Sequence, residues 1–331
     1  MTQFLIIQTA FIGDVILATP VIEALHQEYP EASIDFLLRR GNEGLLLGHP
    51  YISEVVIWDK KKRKYADLFR IIGLVRRKKY DAVMNLQRFL ATGMMTVFSG
   101  AGQTVGFDKN PLSWFFSVRL PHHIDSKSTS AHEIDRNLSL IKHLVKSPYR
   151  FLPRLYPAEK DFSKTKAPLP YVTISPTSVW FTKQYPAERW IQLINQIDPA
   201  MRIFLLGGKT DREACEKIKS GALRNNIENL AGELSFLESA ALMKNAVMNY
   251  VNDSAPLHLA SAMDAAVTAV FCSTLPAFGF GPLSSRSHIL ETEEQLECRP
   301  CGIHGHRECP EGHFRCSHID PLRLLKKMDY K

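Results

Sequence analysis

Short, continuously apolar runs alternate with helix-periodic segments along this chain, and the alternation occurs twice. The predicted strands of the first half are FLIIQT, SIDFLL, EVVIW, DAVMNL and TVGF, and those of the second half are YVTIS, RIFLLGG, AVMNYVN and AAVTAVFC. Strands that lack polar alternation are typical of parallel sheets with helices packed on both faces. The pattern predicts an α/β protein with two doubly wound domains in tandem and a cleft between them.

A proline-rich stretch separates the two halves. Residues 146–170 hold five of the chain's 19 prolines and show little periodicity, which is typical of a linker. A chain of 331 residues also exceeds the usual size of a single core. We expect an N-terminal domain over residues 1–160 and a C-terminal domain over residues 166–331.

The chain carries a formal net charge of +7, and two basic runs lie close together in its first half. KKKRK at 60–64 and RRKK at 76–79 flank a stretch in which the apolar residues have helical spacing, namely Leu68, Phe69, Ile71, Ile72 and Val75. Two interpretations stay open: a solvated helix with basic ends, or a surface that contacts an anionic partner. Nucleic acid is not expected as that partner, because aromatic and basic residues do not alternate as in nucleic-acid-binding modules.

The sequence offers no membrane-spanning segment. No run approaches the roughly 18 consecutive apolar residues that a spanning helix needs. The N-terminal apolar stretch lacks a leading basic residue and is interrupted by Gln8 and Asp14, unlike a secretory signal. We therefore expect a cytoplasmic enzyme.

Asp14 follows Gly13 at the point where the first predicted strand passes into a helix. Ligands of open parallel sheets bind beyond the carboxyl ends of the strands, so this position is suited to function. A carboxylate here would repel a phosphate, and the GxGxxG fingerprint is absent, which argues against a nicotinamide dehydrogenase. Asp14 is either a helix cap or a catalytic group, and Gly13 would let a substrate approach the backbone closely.

Three turns of the second half carry groups suited to a nucleotide diphosphate. Their residues are Thr177, Ser178 and Lys183 in the first, Gly207 and Gly208 in the second, and Asp253, Ser254, Ala255, Leu257 and His258 in the third. Hydroxyls with a lysine can hold diphosphate oxygens, and glycines let a ligand approach the backbone. The third turn opens a helix, so we expect free N–H groups at Ser254, Ala255 and Leu257 to bind phosphate.

Several motifs make the sequence resemble the heptosyltransferases and related enzymes of glycosyltransferase family 9. They span nearly the whole chain and are IGDVILATP, YDAVMNLQ at 80–87, VGF at 105–107, HEIDRNLSLI, SPTSVWFTKQYPAERW, LLGGKTDRE and NDSAPLHLASA. The resemblance implies the GT-B fold, in which two Rossmann-like domains face each other across a cleft. The N-terminal domain would bind the acceptor and carry the base, and the C-terminal domain would bind the nucleotide sugar.

The same resemblance implies an activity and its partners. It implies an inverting transfer of heptose from ADP-heptose onto the lipopolysaccharide inner core, with no cofactor for catalysis. Another nucleotide sugar or a glycan acceptor other than lipopolysaccharide is the alternative. The anionic lipopolysaccharide precursor would bring the protein to the cytoplasmic face of the inner membrane.

The resemblance also implies roles for individual residues. Asp14 would be the catalytic base, Glu213 a ribose-binding acid, and Leu234 a neighbour of the adenine. The donor site would also include Thr177, Ser178, Lys183, Gly207, Gly208, Asp253, Ser254, Ala255 and His258, and the acceptor side would include Gly13, Asn85 and Gln87. The chain departs from the family pattern at Phe11, usually a small polar residue, at Asn85, usually Asp, and at Ala255, usually Gly.

Four of the six cysteines lie close together near the C-terminus. Cys298, Cys301, Cys309 and Cys316 have the spacing C-x2-C-x7-C-x6-C, with histidines among them. Clustered thiols in a cytoplasmic protein favour a metal, and the CxxC fits a structural zinc site, although the second pair lacks the usual tight spacing. Reduced thiols packed in a loop, and disulfides, stay open. A zinc-stabilised binding protein is the rival class, but it would leave Asp14 and the three turns unexplained.

Overall fold

The computed structural model describes residues 1–60, 64–124, 131–146, 150–168 and 170–328. Within these ranges the chain divides into two compact units, residues 1–124 with 131–156 and the residues from Pro157 onward. Each unit is built on a parallel sheet, which confirms the predicted α/β class. No helix of the described residues is long and apolar enough to cross a membrane.

The described part of unit 1 contains a six-stranded parallel sheet of order β3-β2-β1-β4-β5-β6. Its strands are β1 (Gln3–Ile7), β2 (Ser33–Arg39), β3 (Glu54–Trp58), β4 (Ala82–Asn85), β5 (Gln103–Phe107) and β6 (Val118–Leu120). The chain passes outward from β1 to β3 and then returns to place β4 on the other side of β1. The switch point of this sheet, where ligands bind in doubly wound folds, therefore lies between the ends of β1 and β4.

The helices of unit 1 differ from the predicted ones at two places. They are α1 (Ile12–Ile16), α2 (Thr19–Glu28), α3 (Lys64–Lys78), α4 (Leu90–Val97) and α5 (Glu133–Ser139). The single helix predicted over 15–29 is divided, because Pro20 has no N–H to donate to Ile16, and the Thr19 hydroxyl takes that carbonyl at 2.8 Å instead. The helix predicted over 132–145 ends early, at Ser139.

The amphipathic helix of the basic segment is confirmed as α3. Leu68, Ile71 and Val75 are buried on its inner face, whereas Phe69 is exposed. The inner residues pack against the sheet residues Leu5 and Val83 and others of the same cluster. Residues 61–63 of the first basic run lie outside the described residues.

The described part of unit 2 repeats the plan, with a six-stranded parallel sheet of order β12-β11-β10-β7-β8-β9. Its strands are β7 (Tyr171–Ser175), β8 (Arg202–Leu205), β9 (Ile227–Asn229), β10 (Met248–Asn252), β11 (Val267–Phe271) and β12 (Ser287–Glu291). Its helices are α6 (Glu159–Lys164), α7 (Ala187–Gln196), α8 (Arg212–Gly221), α9 (Phe236–Asn245), α10 (Ala255–Ala262) and α11 (Pro321–Leu325). The switch point lies between β7 and β10, which are neighbours in the sheet.

Parts of unit 2 were not expected from the sequence pattern. The predicted linker contains α6, which begins where the Asp161 carboxylate accepts the N–H of Ala158 at 2.7 Å. The strands β9 and β12, like β6 in unit 1, lie at sheet edges. An edge strand is covered on fewer sides, so it does not need the apolar run by which the central strands are recognised.

Candidate functional site

Asp14 lies in the first turn of α1, directly after β1. The helix begins at Ile12, so Asp14 is its third residue and Phe11 holds the N-cap position. The carboxylate still stabilises this turn, because its Oδ2 accepts the backbone N–H of Phe11 at 3.0 Å. Gly13 lies beside it and is partly buried. The structure therefore combines a capping bond with a position at the switch point of unit 1.

The surroundings of Asp14 favour its protonated form. Burial of the carboxyl raises its pKa from 3.8 to about 6, and the negative charge of Glu133 contributes in the same direction. The Phe11 N–H and the positive charge of Arg39 oppose this rise. A carboxyl with a pKa of about 6 is mostly ionised at neutral pH and still basic enough to accept a proton from a substrate.

Glu133, the first residue of α5, is buried among its own partners. Its carboxylate oxygens lie 3.2 Å from Nε2 of His122 and 2.7 Å from Nε of Arg136. Burial alone would raise the pKa of Glu133, but these two partners lower it, so the group stays ionised. Glu133 belongs to the HEIDRNLSLI motif but was not among the expected site residues.

The acceptor-side residues Asn85 and Gln87 lie across the switch point from β1. Asn85 ends β4 and is paired in register with Ile7, and its Oδ1 accepts the N–H of Gln87 at 2.9 Å. The Gln87 side chain donates to Gln8, which follows β1. Nδ2 of Asn85 and Oε1 of Gln87 are buried without a hydrogen-bond partner among the described residues. Such unpaired polar atoms are costly unless a ligand or water satisfies them.

Lys60 is held near the same end of the sheet and was not assigned to the site from sequence. Its Nζ donates to the carbonyl of Thr9 at 2.8 Å and lies 4.7 Å from the centre of the Trp58 ring. Burial, with the charges of Arg39 and Lys64, lowers the pKa of Lys60 to about 8. Lys60 could not be distinguished in the sequence from its basic neighbours, because the run as a whole has the pattern of a solvated surface.

In unit 2 the three predicted turns follow β10, β7 and β8, which are consecutive in the sheet. Two of these turns are joined by Asn252, whose Nδ2 donates to the carbonyl of Pro176 at 2.8 Å and whose Oδ1 accepts the N–H of Tyr185 at 2.9 Å. The turns after β7 and β10 are therefore brought together at the switch point of unit 2. Asn252 was visible in the third turn, but its bridging role depends on the sheet order.

Lys183 and Asp253 form an ion pair rather than two separate donor contacts. Nζ of Lys183 lies 2.7 Å from Oδ2 of Asp253, and their side chains are 14% and 7% exposed. The hydroxyl of Thr274 donates to the same oxygen at 2.6 Å. Thr177 and Ser178 lie partly exposed in the loop that leads to Lys183, and the backbone carbonyl of Ser178 accepts from Gln184 at 2.8 Å.

The start of α10 differs from expectation at one backbone group. Leu257 donates its N–H to the carbonyl of Ser254 at 3.0 Å, so it is not free as predicted. Ser254 and Ala255, at the helix entrance, are left as the candidate phosphate-binding N–H groups. His258 is buried in the first half of the helix.

The remaining donor-side residues have local roles of their own. The N–H of Gly208 donates to Asp211 at 2.7 Å, and a Cβ on Gly207 would lie 2.8 Å from the Asp211 Cβ. These glycines therefore fit the turn around Asp211, a local role that was not expected for them. Glu213 is fully exposed, and its pair with Lys217 lowers its pKa. Leu234 is partly buried and directly precedes Ser235, the N-cap of α9.

The four tail cysteines converge on one cavity. A space of about 240 Å³ is lined by Cys298, Cys301, Cys309 and Cys316 together with His306 and His313. All six cysteines of the chain lie in the described residues and none forms a disulfide. Among the described residues, however, no three His, Cys, Asp or Glu side chains are arranged to hold a metal ion.

Comparison with known proteins agrees with this architecture. The model of glycosyltransferase family 9 (heptosyltransferase) matches residues 68–313. Lipopolysaccharide heptosyltransferase 3 of Escherichia coli strain K12 is 28% identical over 283 residues, which cover 79% of this chain and 80% of that protein. The solved ADP-heptose lipopolysaccharide heptosyltransferase II of E. coli has a TM-score of 0.81 at 20% identity, with 99% and 97% of the two chains covered.

A more distant structure shares the fold over most of this chain. It is a dodecameric, iron-containing heptosyltransferase of enterotoxigenic E. coli in complex with ADP-D-β-D-heptose, with a TM-score of 0.58 at 15% identity, covering 98% of this chain and 74% of that one. Two doubly wound units, together with the match to the family model and to the solved heptosyltransferase, define a glycosyltransferase of the GT-B class, which confirms the predicted fold. The chain belongs to glycosyltransferase family 9, as its motifs indicated.

Proposed function

We propose that this protein is an inverting heptosyltransferase that transfers heptose from ADP-heptose onto the lipopolysaccharide inner core. The observation that carries the proposal is Asp14, a carboxyl with a pKa of about 6 at the switch point of unit 1. The Lys183–Asp253 pair at the switch point of unit 2 supports it. The relatives described above, which are named as lipopolysaccharide heptosyltransferases, support this choice of sugar and acceptor.

In the proposed reaction the acceptor hydroxyl oxygen attacks the anomeric carbon of the donor. The bond from that carbon to the diphosphate oxygen breaks, and ADP leaves with the electron pair. The hydroxyl proton passes to Asp14, which must be ionised beforehand. A single displacement of this kind inverts the configuration at the anomeric carbon.

The leaving diphosphate needs positive charge and N–H donors. Lys183 and the entrance of α10 at Ser254 and Ala255 supply both. Asp253 holds Lys183 in place, and its carboxylate can also accept a bond from a donor hydroxyl. Thr177, Ser178, Gly207, Gly208 and His258 complete the proposed diphosphate and sugar contacts.

The nucleoside of the donor would be recognised by the turns after β8 and before α9. Glu213, whose described partner is the exposed Lys217, is accessible to the hydroxyls of a ribose. Leu234 offers partly exposed apolar surface to an adenine. These contacts follow the family resemblance.

On the acceptor side we propose Gly13, Asn85 and Gln87 as the binding residues. The unpaired Nδ2 of Asn85 and Oε1 of Gln87 are suited to hydroxyls of a sugar. Lys60 and the exposed ends of α3 would face an anionic lipopolysaccharide precursor or the membrane surface that carries it. Binding to that surface is a proposal that the basic segment supports.

We also propose that the four tail thiols hold one structural metal ion, with zinc as the expected metal. Their convergence on one cavity fits such a site, although the side chains would have to move inward to complete a coordination sphere. When bound, the ion would supply stability and would take no part in the transfer. Because one structural neighbour is described as iron-containing, the metal analysis should include iron.

The donor assignment is tested by calorimetry with ADP-heptose, ADP-glucose, UDP-glucose and GDP-mannose, in the absence of acceptor. We expect ADP-heptose to bind most tightly, since unit 2 is proposed to hold the donor by itself. A clear preference for a uridine or guanosine donor would contradict the proposal. Transfer of heptose to a glycan other than the inner core would instead favour the alternative acceptor.

A further inference from the structure

The cysteine-rich segment, residues 298–318, lies directly against the 3₁₀ turn that carries Lys183. Thr182, in the middle of that turn, donates its backbone N–H to the carbonyl of His306 at 3.1 Å. In return His306 donates its N–H to the Thr182 hydroxyl at 2.8 Å. Thr182 is fully buried, whereas His306 is exposed, so these two bonds are partly shielded from water.

The Thr182 hydroxyl also joins a third part of unit 2. Ser273, which follows β11, donates its hydroxyl to Oγ1 of Thr182 at 3.0 Å. The carbonyl of Ser273 accepts the N–H of Cys301 at 2.9 Å. One buried hydroxyl therefore connects the turn of Lys183, the end of β11 and the cysteine-rich segment.

The partner of Lys183 is connected to the same segment. Arg299 donates to the carbonyl of Thr274 at 2.8 Å, and the hydroxyl of Thr274 donates to Asp253 at 2.6 Å. Lys183 is thus the next residue after Thr182, which is hydrogen-bonded to the segment. Asp253 is one hydrogen bond away from Thr274, which is also hydrogen-bonded to the segment.

Gly305 shows how closely the segment approaches Lys183. A Cβ at this position would lie 3.0 Å from Cγ of Lys183 and 2.9 Å from Oγ1 of Thr182. Its φ of +76° also belongs to the left-handed region that favours glycine. The aliphatic stem of Lys183 therefore packs against backbone that only a glycine leaves uncovered.

We propose that Thr182 and Gly305 are positioning residues, through which the cysteine-rich segment holds Lys183 in the geometry that binds the donor diphosphate. This rests on the proposed function, because it takes Lys183 as a diphosphate contact. The segment then contributes to donor affinity although none of its residues needs to touch the donor. A segment that only stabilised unit 2 would affect unfolding and leave the affinity of the folded protein unchanged.

The first test compares Thr182→Val with Thr182→Ser in the full-length protein, with ADP as the calorimetric probe. Valine keeps the shape but leaves the N–H of His306 and the hydroxyl of Ser273 without their acceptor. We expect the ADP Kd to rise about tenfold in Thr182→Val and to stay within about twofold of wild type in Thr182→Ser. The ADP titrations are run well below each variant's melting temperature, so that unfolded protein does not lower the apparent affinity.

The second test compares Gly305→Ala with Gly312→Ala. Both glycines have positive φ, +76° and +71°, so both substitutions carry similar backbone strain, but nothing lies within 4 Å of a Cβ at Gly312. We expect a several-fold weaker ADP affinity for Gly305→Ala and wild-type affinity for Gly312→Ala. ADP binding by wild type with unchanged affinity in Thr182→Val and Gly305→Ala would overturn the inference, whereas a wild type that fails to bind ADP would overturn the proposed function itself.

Discussion

Replacing Asp14 by Asn should remove activity and at the same time stabilise the protein above pH 6. Asparagine has nearly the same shape, and its Oδ1 can still accept the N–H of Phe11 that Asp14 now accepts at 3.0 Å. It cannot take up the proton of an acceptor hydroxyl. We therefore expect kcat to fall by about 10²–10⁴-fold, the usual contribution of a positioned general base, with the ADP Kd unchanged or slightly lower.

The gain in stability follows from the direction of the Asp14 pKa shift. Its pKa rises from 3.8 to about 6 on folding, so the folded protein binds a proton more tightly than the unfolded chain. This contribution to stability is fully present below pH 3.8 and is lost as the pH rises through about 6. The full difference corresponds to about 3 kcal/mol, and the partial exposure of Asp14 reduces it to about 1–2 kcal/mol.

The assays are urea unfolding at pH 5 and pH 8 and the pH dependence of kcat/KM. Wild-type kcat/KM should rise with pH through about 6 and then level off, because the base must be ionised. Asp161→Asn is the matched control, since Asp161 makes the same capping bond to Ala158, at 2.7 Å, at the start of α6. It should keep wild-type activity.

Two results would refute this reasoning. An Asp14→Asn protein with near-normal turnover would end the assignment of Asp14 as the base. A variant that is less stable than wild type at pH 8 would show that the capping bond outweighs the cost of burying the charge.

Three further outcomes are expected. Lys183→Met should raise the ADP Kd measured by calorimetry about 10–100-fold, which is the contribution of a charge-assisted bond, whereas Lys219→Met, at a partly exposed lysine of α8, should leave it unchanged. Equal ADP affinities of the two variants would remove Lys183 from the donor site. Elemental analysis should find one zinc or iron ion per chain, and the Cys316→Ser variant should lack this ion and melt at a lower temperature. A metal-free protein in which all four tail thiols titrate freely would contradict the proposed metal site. Lys60→Gln should raise the KM for the acceptor and weaken the salt dependence of that KM, without changing the ADP Kd. If the acceptor kinetics at low salt stay unaltered, Lys60 has only a structural role.

The central strands of both sheets could be predicted because their burial is visible in short stretches of the sequence. β1, β7 and β10 are covered on both faces, and that burial appears in the sequence as mainly apolar runs such as FLII and YVTI. The edge strand β6, with the sequence VRL, has no such run and could not be recognised. Pro20 marks the break before α2 in the sequence, because a proline inside a helix removes a backbone hydrogen bond and ends or kinks the helix.

The places of the candidate site residues along the chain follow from the sequence more fully than the contacts between them. Lys183 and Asp253 each lie in the segment that connects an apolar run to the next helix, Asp14 lies in the first turn of such a helix, and these positions are visible in the sequence. The pairing of Lys183 with Asp253 depends on β7 and β10 being neighbours, which the order of strands along the chain does not reveal. The influence of Glu133 on Asp14 depends likewise on packing between segments that are distant in sequence.

The bond between Asp14 and the N–H of Phe11 has a consequence for how the carboxyl meets its substrate. With Oδ2 committed to the backbone, the side chain is held in one rotamer and Oδ1 is the atom that we expect to take the proton. Fixing a side chain costs roughly 0.5–1.5 kcal/mol of conformational entropy, and here that loss occurs when the chain folds. In the proposed reaction the acceptor would therefore meet a carboxylate that is already oriented, and none of the acceptor's binding energy would be spent on orienting it.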